Sequence, residues 1–136
     1  FRPGYLLEVE RRADDPRFRP ASAQRLASDP YVLREVRMDA YQGLIRYADR
    51  ASDIAPALRQ PILLMYGGED NSVPAVSIQR LREHLGKQAT YHFYPGGPHL
   101  LLQGQQWEQV LTDSLGWLER TRTAEERTEL IYSGAY

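Results

Sequence analysis

The run Pro61-Ile62-Leu63-Leu64-Met65-Tyr66, closed by Gly67-Gly68, constrains this chain more than any other stretch. A short, nearly continuous apolar run bounded by turn residues reads as a strand buried on both faces, the kind found inside parallel sheets. Val73-Pro74 then opens a helix to about Leu85. Pro74 lies in its first turn, Gly86 lies beyond its end, and Val76, Ile78, Leu81 and Leu85 form an apolar stripe. Ala89-Thr90-Tyr91-His92-Phe93-Tyr94 has the β-branched and aromatic content of a second strand, stopped by Pro95-Gly96-Gly97-Pro98. A last helix is expected over about Gln105 to Arg120, with Trp107, Val110, Leu111, Ser114, Leu115 and Leu118 on one face. Strand, helix, strand, helix in this order nearly always places the strands parallel with a right-handed crossover, so the fold class is α/β.

The chain divides into a helical region at 1–58, a core at 59–122 and a tail at 123–136 in which Leu130, Ile131 and Tyr132 are able to dock. Residues 1–27 are rich in Arg, Asp and Pro and are expected to be irregular. Pro3, Pro16 and Pro20 each lack a donor and bias the preceding residue away from helix. Leu6, Leu7 and Val9 suit either a short helix or a strand. Ser28-Asp29-Pro30 reads as a helix start. Behind it Tyr31, Val32, Val36, Met38, Tyr41, Leu44, Ile45 and Tyr47 recur at spacings of three and four, which predicts helix in two pieces broken near Gly43. That face is expected to pack in the core.

Parallel neighbours lie about 4.8 Å apart and end on the same edge of their sheet, and open α/β sheets bind ligands outside those carboxyl ends. Asp70 follows the first strand in Gly67-Gly68-Glu69-Asp70-Asn71-Ser72, and His99 follows the second in Pro95-Gly96-Gly97-Pro98-His99. A carboxylate and an imidazole on adjacent loops allow the Asp to orient the His, fix its tautomer and stabilise the imidazolium. Taken alone, Asp70 also suits a helix cap or turn, and Glu69 is the nearest competing carboxylate.

Here the chain resembles a known family. The stretch from Pro61 to Pro74 is similar to the acid-bearing strand and loop of the α/β-hydrolases, in particular the monoacylglycerol lipase and lysophospholipase branch, which reads P-x-L-x-x-x-G-x-x-D-x-x-V-P there. Tyr94-Pro95-Gly96-Gly97-Pro98-His99 resembles the catalytic-histidine loop of that branch, and the last helix with Trp117-Leu118 resembles its closing helix. Asp29-Pro30 through Asp39 is similar to its cap region. The resemblance implies a partial α/β-hydrolase fold, a helical cap followed by strand-helix-strand-helix, with Asp70 as triad acid and His99 as base. It implies a serine esterase or lipase acting on carboxylic esters, monoacyl lipids among them, with no cofactor and no metal. A cap at 1–58 would turn Tyr41, Leu44, Ile45 and Tyr47 towards an acyl chain. Epoxide hydrolases and haloalkane dehalogenases share the Asp-His pair but use an upstream Asp nucleophile.

The family's nucleophile elbow, G-x-S-x-G, is absent. Serines stand at 22, 28, 52, 72, 77, 114 and 133, and none is flanked by glycine two residues before and two after. Ser114, in Thr112-Asp113-Ser114-Leu115-Gly116, comes nearest but falls inside the last helix. The oxyanion-hole motif is missing too. Because the chain opens at Phe1 without Met, the expectation is a fragment or processed product, with about half of the domain preceding it and no turnover by this chain alone. The alternative is an inactive module of hydrolase ancestry that associates through an exposed sheet edge, with an N-terminal half of the same fold or with a second copy.

Composition excludes other classes. Lys and Arg total 17 against 18 Asp and Glu, a net charge of −1, so no global field draws nucleic acid or anionic lipid. Without cysteine there is no disulfide framework, thiolate zinc site or Cys nucleophile. The longest aliphatic run, Ile62 to Met65, falls far short of the roughly 20 residues of a membrane helix, and no signal peptide opens the chain. A cytoplasmic location is expected. Of the remaining candidates, His84 reads as solvated surface and His92 as packing or a hydrogen-bond partner. Asp70, His92 and His99 do not have the spacing of a metal-ligand motif. Gly67-Gly68 and Gly96-Gly97 lack Walker spacing and read as flexible loops, and Leu100-Leu101-Leu102 as packing beneath the last helix.

Overall fold

The computed structural model describes residues 4–122 of the 136-residue chain; the tail at 123–136 lies outside the described residues. The elements run β1 (Leu6–Glu8), α1 (Pro20–Ser28), β2 (Glu35–Arg37), α2 (Met38–Ile54), β3 (Ile62–Gly67), α3 (Ala75–Leu85), β4 (Ala89–Tyr94) and α4 (Trp107–Thr121), with short 3-10 turns at Ala55–Ala57, Gly86–Gln88 and Leu101–Gln103. β3 and β4 pair in parallel, from Ile62 opposite Ala89 to Gly67 opposite Tyr94. The mixed α/β architecture expected from residues 61–120 is the one observed.

Side-chain alternation along β4 sorts the two helices onto opposite faces of this pair. Thr90, His92 and Tyr94 meet α4: the Trp117 indole donates to Thr90 Oγ1 at 3.1 Å, and Asp113 reaches both His92 and Tyr94. Tyr91 faces α3, where the Arg82 guanidinium stacks 3.8 Å from its ring centre. The buried residues Tyr66, Leu85, Tyr94 and Val110 belong to this αβα layer, with Phe18, Ala23 and Ala55 from the earlier chain. β3 is not buried on both faces as its apolar run suggests. Ile62 to Met65 are half-buried and only Tyr66 and Gly67 are buried, because the sheet has two strands among the described residues.

The first third differs from its sequence reading. Residues 4–27 are not irregular throughout: Leu6–Glu8 pairs antiparallel with Glu35–Arg37, and Pro20 opens α1. Proline at the first helical position removes a donor that has no intrahelical partner there, which is why Pro20 starts a helix. Ser28-Asp29-Pro30 ends a helix instead of beginning one. The Asp29 N–H closes on the Arg25 carbonyl, while its Oδ1 accepts the Tyr31 N–H at 2.8 Å and turns the chain away. The helix then starts at Met38 and runs unbroken through Gly43, whose position has open space around it.

α2 buries none of its residues; Tyr41, Leu44, Ile45 and Tyr47 are exposed, not packed in the core. It is tied to α3 by Arg80 with Asp53 and Asp49, and by His84, whose Nδ1 lies 2.7 Å from the Ser52 carbonyl. His84 is therefore a joint between two helices and not free surface. Leu100 and Leu102 are exposed, so the Leu100-Leu101-Leu102 stretch does not pack beneath α4 as a block. The segment after it is held by the N-terminal chain: Arg19 N–H donates to the Gln103 carbonyl, Phe18 bridges Gly104, and the Arg19 guanidinium sits 4.7 Å from the Trp107 ring centre. No helix among the described residues is long and apolar enough to cross a membrane.

Candidate active site

Both strands of the parallel pair end at one edge, and the loops leaving them are bonded to each other before either reaches its functional residue. The Gly68 and Gly97 N–H groups both donate to the Tyr94 carbonyl, at 2.8 and 2.9 Å, and the Glu69 N–H donates to the Gly97 carbonyl at 2.9 Å. This approach requires glycine. A Cβ at Gly67 would meet the Gly97 carbonyl, and one at Gly68 the Pro95 carbonyl, both well inside van der Waals contact. A Cβ at Gly97 would lie 2.6 Å from Leu101 Cδ2. Gly67, Gly68 and Gly97 are therefore sites of close packing, not of loop flexibility.

The interlocked loops bring Asp70 and His99 together, with Asp70 Oδ2 2.9 Å from His99 Nδ1. The other carboxylate oxygen, Oδ1, accepts the N–H groups of Ser72 at 2.7 Å and Val73 at 3.0 Å, which locks the carboxylate against rotation. The turn-capping role of Asp70 and its contact with His99 thus coexist, one on each oxygen. The Asp70 side chain is only 5% exposed, whereas His99 is 47% exposed. Burial acts to raise the Asp70 pKa. The hydrogen bonds from His99, Val73 and Ser72 outweigh it and hold the carboxyl below its ordinary value. An ionised carboxylate only accepts, so Nδ1 carries the proton and Nε2 is left as the acceptor of the neutral ring. Glu69 contributes its backbone: its carbonyl accepts the Arg17 guanidinium at 3.4 Å.

Tyr94 and Asp113 were not singled out from the sequence, yet they lie directly behind this edge. The Tyr94 hydroxyl donates to Asp113 Oδ2 at 2.9 Å, and His92 Nδ1 lies 3.4 Å from the same oxygen. Burial, then the Asp113 hydrogen bond and charge, push the Tyr94 pKa up to about 12. The available signal was an acid at 113 on the helix face that also carries Val110, Ser114 and Trp117. Ser114 donates to the Val110 carbonyl at 2.6 Å, within its own helix. An open hollow of about 660 Å³ lies on the α3 side of the sheet, lined by Tyr66, Ile78, Arg82, Tyr91 and Phe93 among others. Neither Asp70 nor His99 lines it, and neither do Tyr41, Leu44, Ile45 or Tyr47.

A two-stranded parallel layer flanked by one helix on each face is an arrangement common to many α/β folds, and the matches to an α/β-hydrolase family and structure make it part of that fold. The family model described as serine aminopeptidase, S33, matches residues 2–106, and the chain belongs to that family. The crystal structure of the monoacylglycerol lipase of Paleococcus ferrophilus is similar in fold, with a TM-score of 0.66 and 23% identity. The match covers 88% of this chain and 48% of the lipase, so the chain spans about half the length of that relative.

Proposed function

We propose that this chain carries the acid and the base of a serine hydrolase of carboxylic esters, with the nucleophile on a segment outside these residues. The observation that carries the reading is the 2.9 Å contact between Asp70 Oδ2 and His99 Nδ1 at the carboxyl edge of the parallel strands. With Nδ1 committed to Asp70, His99 Nε2 takes the serine proton as the oxygen attacks the ester carbonyl and returns it to the departing alkoxide. The same nitrogen then activates water to release the acyl group. Asp70 stays ionised throughout and stabilises the imidazolium. The resemblance of the two loops to the monoacylglycerol lipase branch, together with the similar fold of the Paleococcus lipase, favours monoacyl lipid esters as substrates.

The test is hydrolysis of p-nitrophenyl acyl esters and aminoacyl p-nitroanilides by the 136-residue chain and by the longer polypeptide the proposal requires. The chain alone should turn over neither. The longer form should cleave esters, and His99→Ala should lower kcat by about 10⁴-fold or more. Anilide cleavage without ester cleavage would replace the lipase reading with a peptidase one. A second reading rests on a different observation: the outer edge of β3 is unpaired among the described residues, and Leu111, Leu115 and Leu118 of α4 are exposed. These features suit a binding module that associates through its sheet edge.

A further inference from the structure

Asp70 and His99 stand on separate loops, and the precision of their contact depends on what fixes the two loops to one another. Two of the three backbone bonds that do so converge on one residue, and the third runs from the Glu69 N–H to the Gly97 carbonyl. The Tyr94 carbonyl accepts the N–H of Gly68, two residues before Asp70, and the N–H of Gly97, two residues before His99. Tyr94 is 4% exposed and ends β4, so a small rotation of its backbone would displace both loops at once. Its side chain stands on the face of the sheet that α4 covers, where the hydroxyl donates to Asp113 Oδ2 at 2.9 Å. Asp113 is fixed in turn by Gln109, one turn earlier on α4, whose amide donates to Oδ1 at 3.0 Å.

We propose that Tyr94 and Asp113 are positioning residues for the Asp70–His99 pair, and that their bond anchors to α4 the carbonyl that both loops share. The inference rests on the functional reading above and names a further part of that site. A hydroxyl–carboxylate bond is short and charge-assisted, and this one is partly buried, with the tyrosine as its buried end. The high Tyr94 pKa accords with a hydroxyl that keeps its proton for this bond. His92 shares the same carboxylate oxygen at 3.4 Å, a longer contact that leaves the tyrosine as the closer partner.

The test reads the pair directly in the 136-residue chain by NMR, without requiring turnover. The tautomer of neutral His99 comes from its ring ¹⁵N shifts, and the titration of Asp70 from its side-chain carboxyl ¹³C shift. In the unaltered chain His99 should hold the Nδ1–H form and Asp70 should titrate below the ordinary aspartate range. Tyr94→Phe removes only the hydroxyl. It should leave the amide spectrum of a folded chain, move Asp70 upward by about half a pH unit or more, and mix the His99 tautomers. Asp113→Ala should do the same, while Asp113→Asn, which keeps an acceptor for the hydroxyl, should retain most of the native signature. If Tyr94→Phe fails to fold, Asp113→Ala is read in its place. A folded variant of either kind with an unchanged Asp70 titration and unmixed tautomers overturns the positioning role. If the unaltered chain itself lacks the Nδ1–H form, the acid–base reading fails instead, and the two failures are distinct.

Discussion

Asp70 does two jobs with two oxygens, and that division has consequences for pH. Its pKa in the fold lies below the unfolded value of about 3.9, so its stabilisation is complete above that value and is lost as pH falls through the folded one. Acid unfolding followed by circular dichroism should therefore show a limb below about pH 4 that Asp70→Asn flattens. Tyr94 gives the opposite limb. With an unfolded pKa of about 10 and a folded one of about 12, its contribution is present below pH 10 and is lost as pH rises to about 12. Tyr94→Phe should remove that dependence from an alkaline denaturation series. Gly67→Ala should destabilise the chain by about 1–3 kcal/mol or more in urea titration, because its Cβ meets the backbone of the partner loop. At this scale the meeting of Asp70 and His99 was legible because each follows a recognisable strand. Tyr94 and Asp113 were not, since a strand-end tyrosine and a helix-borne acid meet only through tertiary packing.

The elements were legible where apolar content and punctuation agree. From Ile62 to Thr121 the strands and helices fall within a residue or two of their expected bounds, because Gly67-Gly68, Pro74, Gly86 and Pro95 each mark a boundary with their own backbone chemistry. Between Ser28 and Tyr47 the same signals misled. Asp29-Pro30 serves equally well as the turn after a helix, and Val36 in a three-residue strand mimics the spacing of a helical stripe. Gly43 shows how weak a single glycine is as a breaker, since α2 passes through it at a cost of about 1 kcal/mol. With open space around the position, Gly43→Ala should stabilise the chain by about 0.5–1 kcal/mol in thermal or urea unfolding. Gly86 behaves differently. Its φ of 55° closes α3 in a conformation that side chains resist, so Gly86→Ala should cost about 1–2 kcal/mol despite the open space around it.

As a whole molecule, the chain spans about half the length of a lipase of similar fold and presents a parallel pair of strands whose outer edges are unpaired among the described residues. Phe93, Leu111, Leu115 and Leu118 are exposed across its two faces. The class of fold was readable because the acid and histidine loops follow consecutive parallel strands; the tight docking of residues 17–19 against the segment after His99 was not, because nothing local in an Arg- and Pro-rich stretch specifies a contact more than eighty residues away. In the proposed mechanism His99, oriented by Asp70, activates a serine supplied from outside these residues. Intact mass after treatment with a fluorophosphonate, on the 136-residue chain and on the longer polypeptide, decides whether it does. The chain alone should gain no mass, the longer form should gain one phosphonyl group, and His99→Ala should abolish that labelling. Labelling of the chain alone, or labelling of the longer form that survives His99→Ala at an unchanged rate, would contradict the mechanism.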